Sequence, residues 1–221
     1  MAFWGRKRSG SRAEEWRAFA ATLELSENRE MAEKLRHNLD LGPGTIAPIY
    51  SLTRSGQPQL VLFEQTRDRH GPAGSVSNVR SCVLLRANGD DDYVSLRATA
   101  RRNKVLESLE AGRTGSSRVE VADDPYFDQR VSVYARDIQS ASALLKDSVK
   151  TVLVRLLNPV AATEQEGQEI AATVAPATIP PSLVIGNKNL LLTVEGQEAI
   201  DFDRFTALTA DVLALYAALR G

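Results

Sequence analysis

The residues best suited to chemistry in this chain are two groups of basic side chains. One group stands near the N-terminus beside Trp4, and the other lies in the middle of the sequence. Guanidinium and ammonium groups bind phosphate and carboxylate oxygens, so both groups are candidate anion sites. The candidate anion-binding residues are Arg6, Lys7, Arg8, Arg97, Arg101, Arg102, Lys104, Arg113 and Arg118.

The N-terminal group allows three interpretations. Residues 1–12 combine Phe3 and Trp4 with four basic residues, a composition that could rest on an anionic membrane. The same residues could hold nucleic-acid phosphates. The plainest prediction is a solvated, disordered basic tail over residues 1–12.

The internal group depends on where the sheet places it. If Arg97, Arg101, Arg102 and Lys104 share one side of a sheet, they could contact a phosphate backbone; otherwise they form a solvated face. The loop at residues 112–118 offers amides and two guanidinium groups for an anion. It lacks the lysine of a P-loop, and it leads into a strand rather than a helix.

Other chemistries have little support in the sequence. Cys82 is the single cysteine, and His37 and His70 lie far apart, so we expect no metal site and no cofactor. No Gly-x-Ser-x-Gly motif supports a serine hydrolase. Asp123, Asp124 and Asp128 could supply paired carboxylates, but acids beside a proline are more typical of a solvated strand entry. The sequence therefore favours a protein that is not an enzyme.

Composition indicates an ordinary globular protein. The chain has 221 residues, 43% of them hydrophobic and 25% charged, with a net charge of −1. We expect one domain over residues 13–221, without a disulfide. No apolar run approaches the roughly 20 residues of a membrane-spanning helix. The interpretation is a cytoplasmic protein, with a membrane-peripheral location left open by the tail.

Periodicity predicts an α+β fold, with a largely antiparallel sheet and helices from both termini packed on it. Ser11 to Glu14 fits a capping box at the start of the first helix. Later segments alternate as strands, residues 126–134 among them. Residues 101–112 could form a short helix or another strand, and the spacing of their apolar residues favours the helix. Ser26 could cap a second helix through Met31 and Leu35, and Asp137, Asp147 and either Asp201 or Asp203 are suitable N-caps of later helices. Residues 46–53 and 59–68 are predicted to form a hairpin, which strands 77–87 and 93–100 extend into an antiparallel meander. The other predicted strands are residues 117–123, 126–134 and 182–196, the last as a second hairpin.

The terminal helix carries an apolar stripe. Phe205, Leu208, Val212, Leu215 and Leu219 keep a spacing of three and four residues. This stripe is typical of a core-facing helix, and it also resembles a short coiled-coil seam. A homodimer through the C-terminal helix is therefore a second interpretation.

The order of elements resembles a known family. An N-terminal helix with EEWRAFA, a strand meander, the segment PYFDQRVSVYARD followed by SASALLKDSVKTVLVRLL, and NLLLTVEG before a closing helix carry the likeness. They resemble an uncharacterised bacterial family, a domain of unknown function with some membrane-anchored members. The resemblance implies a bacterial origin and an α+β fold, and it supplies no catalytic residues.

Three functional hypotheses follow. The first is a non-catalytic binding or interaction module, with self-association possible, whose partner is a protein or a small molecule. The alternative is a nucleic-acid or anionic-membrane binding protein that uses the basic N-terminal segment. The third is an enzyme whose cleft would contain a carboxylate of strongly shifted pKa.

Overall fold

The structure is a computed structural model that describes most of the chain. It covers residues 9–39, 41–54, 57–71, 74–87, 95–101, 112, 115–157, 179–186, 188–196 and 199–221. The helices in this part are α1 (Ser9–Thr22), α2 (Met31–Leu39), α3 (Pro125–Arg130), α4 (Ile138–Leu144), α5 (Asp147–Leu157) and α6 (Phe202–Arg220). The strands are β1 (Ser26–Glu27), β2 (Thr45–Leu52), β3 (Gln59–Gly71), β4 (Gly74–Arg86), β5 (Leu96–Ala100), β6 (Ser117–Val119), β7 (Val131–Ala135), β8 (Ile179–Gly186) and β9 (Asn189–Gly196).

The described strands form one open antiparallel sheet of nine strands. Their order is β1-β2-β3-β4-β9-β8-β5-β7-β6, so the predicted α+β fold with an antiparallel sheet is confirmed. The hairpins β2–β3 and β8–β9 also match the sequence predictions. The predicted meander is wrong at one point, because the β8–β9 hairpin inserts between β4 and β5. A late hairpin therefore joins the two halves of the sheet.

The two faces of the sheet are covered differently. The first face packs against α1, α5 and α6, and the shared core includes Leu62, Val133 and Leu192 from the sheet. We call this the helix-covered face. The second face packs against α2 in a smaller core of Met31, Leu35, Val61, Phe63 and Leu84. We call this the α2 face; α2 covers it only over the β2–β4 half of the sheet and the adjoining part of β9.

Aromatic side chains fasten both terminal helices to the sheet. Trp16 of α1 is fully buried and stacks on Tyr50 of β2, with ring centroids 5.5 Å apart. Its edges meet Phe202 and Phe205 of α6 at 5.3 and 5.2 Å. Phe19 completes the cluster, at 5.7 Å from Trp16. Trp16 and Phe19, which helical spacing places on one stripe of α1, are therefore both core residues.

The first helix begins earlier than the capping box predicts. It starts at Ser9, so residues 9–12 are helical and the predicted tail of residues 1–12 is too long. Arg12 donates to the Glu64 carboxylate at 2.6 Å and to the Ile200 carbonyl at 2.8 Å, and its guanidinium lies over the Phe202 ring. These contacts hold Arg12 within the fold. Residues 1–8 lie outside the described residues.

Local signals explain two other differences. The predicted strand over residues 126–134 begins only at Val131, because Asp124 caps α3 and Pro125 occupies its first turn. Ser26 lies in β1 rather than capping α2, which begins at Met31.

The caps Asp137 and Asp201 are confirmed, with their carboxylates accepting from the N–H groups of Ser140 and Arg204. The helix predicted over residues 101–112 lies almost entirely outside the described residues.

The C-terminal helix uses its apolar stripe inside the molecule. Phe205, Leu208, Val212 and Leu215 are all buried in the core of the helix-covered face. A coiled-coil contact with a second chain through these four residues would require α6 to leave the sheet. Among the helices that the structure describes, none is both long enough and apolar enough to cross a bilayer.

Candidate anion-binding site

Strand alternation brings the sheet's arginines to one face. Successive side chains of a strand point to opposite faces, and paired residues of neighbouring strands point to the same face. The chain of pairs from Leu84 through Leu191, Val184 and Arg97 to Tyr134 and Arg118 therefore lies on the α2 face. Arg67, Arg80 and Arg86 share it by alternation with Phe63 and Leu84. Among the strand residues whose side chains the structure describes, five arginines thus share this face with one carboxylate, Glu195.

Two of the predicted site residues flank a tyrosine. Arg97 of β5 and Arg118 of β6 both pair with Tyr134 of β7, which lies between them. Two strand spacings separate the Cα atoms of the arginines by about 10 Å. Tyr134 is buried, whereas Arg97 and Arg118 are half-buried. The row therefore presents two guanidinium groups on either side of a covered ring.

A carboxylate joins Arg101 to Arg118 at one end of this row. Nη1 of Arg101 donates to the Asp128 carbonyl at 2.7 Å and reaches Oδ2 at 3.4 Å. Nη2 of Arg118 donates to Oδ1 of Asp128 at 2.6 Å. The three side chains are 22–29% exposed, so an anion from solvent can approach the cluster. We call Arg101, Arg118 and Asp128 the arginine–aspartate cluster.

Asp128 is positioned by a short, firmly capped helix. The Asp124 carboxylate accepts from the Phe127 N–H at 3.0 Å, and the Phe127 side chain is buried. That hydrogen bond, followed by the pairing with Lys150, lowers the pKa of Asp124. Lys150 lies 2.9 Å from Asp147 and 3.1 Å from Asp124, and these carboxylates raise the pKa of its ammonium. The contacts tie α3 to α5 and fix the direction of Asp128.

We expect acid to weaken this support of α3. A carboxyl whose pKa is lowered by folding stabilises the fold above its unfolded pKa, and this contribution is lost as the pH falls through the folded pKa. Replacing Asp124 by asparagine keeps a capping oxygen but removes the charge. Between pH 7 and pH 3 the free energy of unfolding should therefore fall by up to about 1 kcal/mol less in the variant than in the parent protein. Urea unfolding at both pH values measures the difference. Asp123→Asn, which neutralises the exposed carboxylate next to it, is the matched control and should behave like the parent protein.

A row of hydroxyl groups runs beside the arginines. Thr193, Ser182, Thr99 and Ser132 are paired in sequence across four neighbouring strands on the same face. The Ser182 and Thr193 oxygens are 2.7 Å apart. These two are half-buried and Val184 beside them is 41% exposed, whereas Thr99 and Ser132 are buried. One hydroxyl hydrogen of this pair lies between the two oxygens, so the open part of the row offers at most one hydroxyl donor of the kind that contacts phosphate oxygens.

The β3–β4–β9 part of this face is charged as well. Arg80 donates to Glu195 at 3.1 Å and approaches the Gln65 amide oxygen at 3.4 Å. Arg67 donates to the Leu41 carbonyl, in the segment that follows α2. These contacts hold the guanidinium groups near the sheet and orient them. Both arginines lie toward the same end of the face as Arg101.

The sequence predictions for the site stand as follows. The structure places Arg97, Arg101 and Arg118 on the α2 face. The interpretation that Arg97, Arg101, Arg102 and Lys104 share one side stays a prediction. The structure adds Arg80 and Asp128, which sequence reasoning missed as members of the site. The remaining predicted residues lie outside the described residues, namely Arg6, Lys7, Arg8, Arg102, Lys104 and Arg113.

The described part of the chain gives little support to the other candidate chemistries. No three histidine, cysteine, aspartate or glutamate side chains come together there as a metal-ligand set. Cys82 is fully buried, and burial raises the pKa of its thiol, which disfavours the reactive thiolate. Asp124 and Asp128 are engaged by Lys150 and by two arginines respectively, rather than by each other. The arginine-lined face is therefore the strongest site candidate.

Comparison with known proteins finds no matching family model, no matching curated protein and no matching solved structure. The resemblance to an uncharacterised bacterial family stays a prediction. The functional argument therefore rests on the chemistry of the site.

Proposed function

We propose that this protein is a non-catalytic binding module that holds the phosphate backbone of a nucleic acid on its α2 face. The observation that carries the proposal is the segregation of charge across the sheet. Among the strand side chains that the structure describes, five arginines share one face with a single glutamate, while the chain as a whole has a net charge of −1. Overall charge would not attract a polyanion to this protein, but a local basic surface would.

Side-chain chemistry supports a phosphate ligand. Arg97, Arg101 and Arg118 provide planar groups with several N–H donors, and Ser182 and Thr193 provide hydroxyls beside them. The large apolar residues exposed in the described part of the chain are Tyr126, Ile138, Val184 and Leu213. Only Val184 belongs to the strands of this face. Interfacial membrane binding uses an apolar surface beside basic residues, so the face favours phosphates over a bilayer.

This proposal moves the predicted contact from the N-terminal segment to the sheet. The sequence alone points to Arg6, Lys7 and Arg8, because they are contiguous. The sheet collects its arginines from separate segments of the chain, and it orients them through Asp128 and Glu195. Oriented guanidinium groups lose less conformational entropy when they bind than those of a flexible segment.

A salt series tests the proposal. Anisotropy of a labelled DNA duplex is measured with the full chain and with a variant lacking residues 1–8, from about 50 to about 200 mM salt. We expect both proteins to bind, with affinity that falls as salt rises, because phosphate contacts release counterions. Sedimentation with anionic vesicles is the parallel measurement.

Each outcome has a definite meaning. Binding that survives removal of residues 1–8 supports the sheet as the contact. Binding that disappears with those residues contradicts it and restores the N-terminal segment. Binding to vesicles but not to DNA, or to neither, contradicts the nucleic-acid proposal.

A further inference from the structure

Basic side chains line two sides of a broad trough on the α2 face. On one side, Lys34 of α2 and Arg86 of β4 lie where the helix meets the sheet, and we call this pair the α2 rim. On the other side lie Arg101 and Arg118 of the arginine–aspartate cluster, which we call the cluster rim. Five strand spacings separate β4 from β6, so Arg86 and Arg118 lie about 24 Å apart across the strands. Between the rims, Val184 of β8 is 41% exposed, so the floor is open there.

The α2 rim has no counter-ion of its own. Within the described part of the chain, neither Lys34 nor Arg86 forms an ion pair or a side-chain hydrogen bond, whereas Arg80 on the same face is paired with Glu195. Lys34 is exposed and Arg86 is half-buried, so an anion from solvent can approach both. Two neighbouring cations repel each other, and a phosphate that contacts both removes this repulsion. The α2 rim is therefore a second place on this face that favours a phosphate.

The described floor of the trough offers no ring on which a base could stack. Proteins that bind single strands combine a basic groove with exposed aromatic side chains that stack the bases. The rings of this face within the described strands are Phe63 and Tyr134, which are 0% and 3% exposed. Tyr126 is exposed on α3, but it stands two residues before Asp128, so it points away from the side of α3 that meets the cluster rim. The Arg130 guanidinium also covers one side of its ring.

We propose that the nucleic acid held on this face is a duplex, which lies along the trough with one phosphate backbone on each rim. This inference rests on the proposed function and specifies its ligand. A duplex keeps its bases stacked inside and presents about twice as many phosphates per unit length as one strand. A single strand lying along the trough would reach only one rim, and its exposed bases would find no ring on the described floor.

Competition between matched oligonucleotides tests the preference for a duplex. A labelled DNA duplex bound to the full chain is displaced by the unlabelled duplex or by either of its two strands, whose sequences form no hairpin. At equal phosphate concentration and fixed salt, we expect the duplex to compete about tenfold better than either strand, because only the duplex contacts both rims. Anisotropy measures the displacement.

The failures of this inference and of the proposed function are distinguishable. A single strand that competes as well as the duplex would contradict the duplex inference and leave the phosphate-binding proposal in place. Absence of binding to the labelled duplex and to both labelled strands would overturn the two together.

Variants of the α2 rim locate the second backbone. Lys34→Gln combined with Arg86→Gln should lower duplex affinity about tenfold and reduce the slope of log affinity against log salt by about 2, because two phosphate contacts are lost. Affinity for a single strand should change by less than about twofold, since the cluster rim is intact. Arg17→Gln with Arg204→Gln makes the same change in net charge on the helix-covered side, and it is the matched control.

Two results would contradict the role of the α2 rim. One is an unchanged duplex affinity in the variant that lacks Lys34 and Arg86. The other is an equal loss of affinity for duplex and single strand. Because Lys34 is exposed and Arg86 is half-buried at the end of β4, we expect the variant to fold, and circular dichroism checks this.

Discussion

Trp16→Ala is expected to lower the free energy of unfolding by about 3–5 kcal/mol. The indole is fully buried and contacts rings from β2, α1 and α6, so its removal leaves a cavity between both terminal helices and the sheet. Urea unfolding followed by circular dichroism measures the change. The largest loss should appear here because a single side chain joins elements from both ends of the chain.

Two controls define this result. Trp16→Phe keeps an aromatic ring and should cost less than the alanine variant, because it removes less buried volume. Tyr126→Ala removes a ring that is 37% exposed and should cost considerably less. A Trp16→Ala protein as stable as its parent would show that the terminal helices are not fastened through this cluster.

Arg101→Gln combined with Arg118→Gln is expected to lower affinity for duplex DNA about a hundredfold. Each arginine should supply about one phosphate contact, so the slope of log affinity against log salt should fall by about 2. The remaining Asp128 would then repel phosphate as an uncompensated carboxylate. Anisotropy titrations at several salt concentrations measure both quantities.

The matched control removes two positive charges from the opposite face. Arg17 of α1 and Arg204 of α6 lie on the helix-covered side, and Arg17→Gln with Arg204→Gln makes the same change in net charge. It should alter affinity only slightly. Asp128→Asn should change the affinity for DNA in the opposite direction. It removes the carboxylate that competes with phosphate for the arginines, so binding should become stronger. Equal losses in the two double variants would show that net charge, rather than the arginine-lined face, controls binding.

The sequence predicts where the helices and strands lie better than it predicts which strands are neighbours in the sheet. Alternation in residues 59–68 and 77–87 and the caps Asp137 and Asp201 are local signals, and the structure confirms them. The insertion of β8–β9 between β4 and β5 is set by burial among segments more than 80 residues apart, and no local pattern records it. The order of strands was therefore beyond sequence reasoning.

The site shows the same division. Arg97 and Arg101 are four residues apart in a strand-like segment, so a shared face could be predicted locally. Their union with Arg118 requires β7 to lie between β5 and β6, which only the sheet order determines. The place of Asp128 could have been predicted, because Asp124 followed by Pro125 is a typical helix start. The alternating pattern of residues 126–134 predicts a strand there instead, and so it misses the helix that carries Asp128.

The most direct test of the arginine-lined face observes its guanidinium groups themselves. The Nε–Hε resonances of the full chain are recorded by NMR during titration with a DNA duplex. The signals of Arg97, Arg101 and Arg118 should shift together and saturate, while that of Arg17 should stay in place, because only the former lie on the α2 face. Shifts confined to arginines outside this face, or spread equally over all of them, would contradict the account.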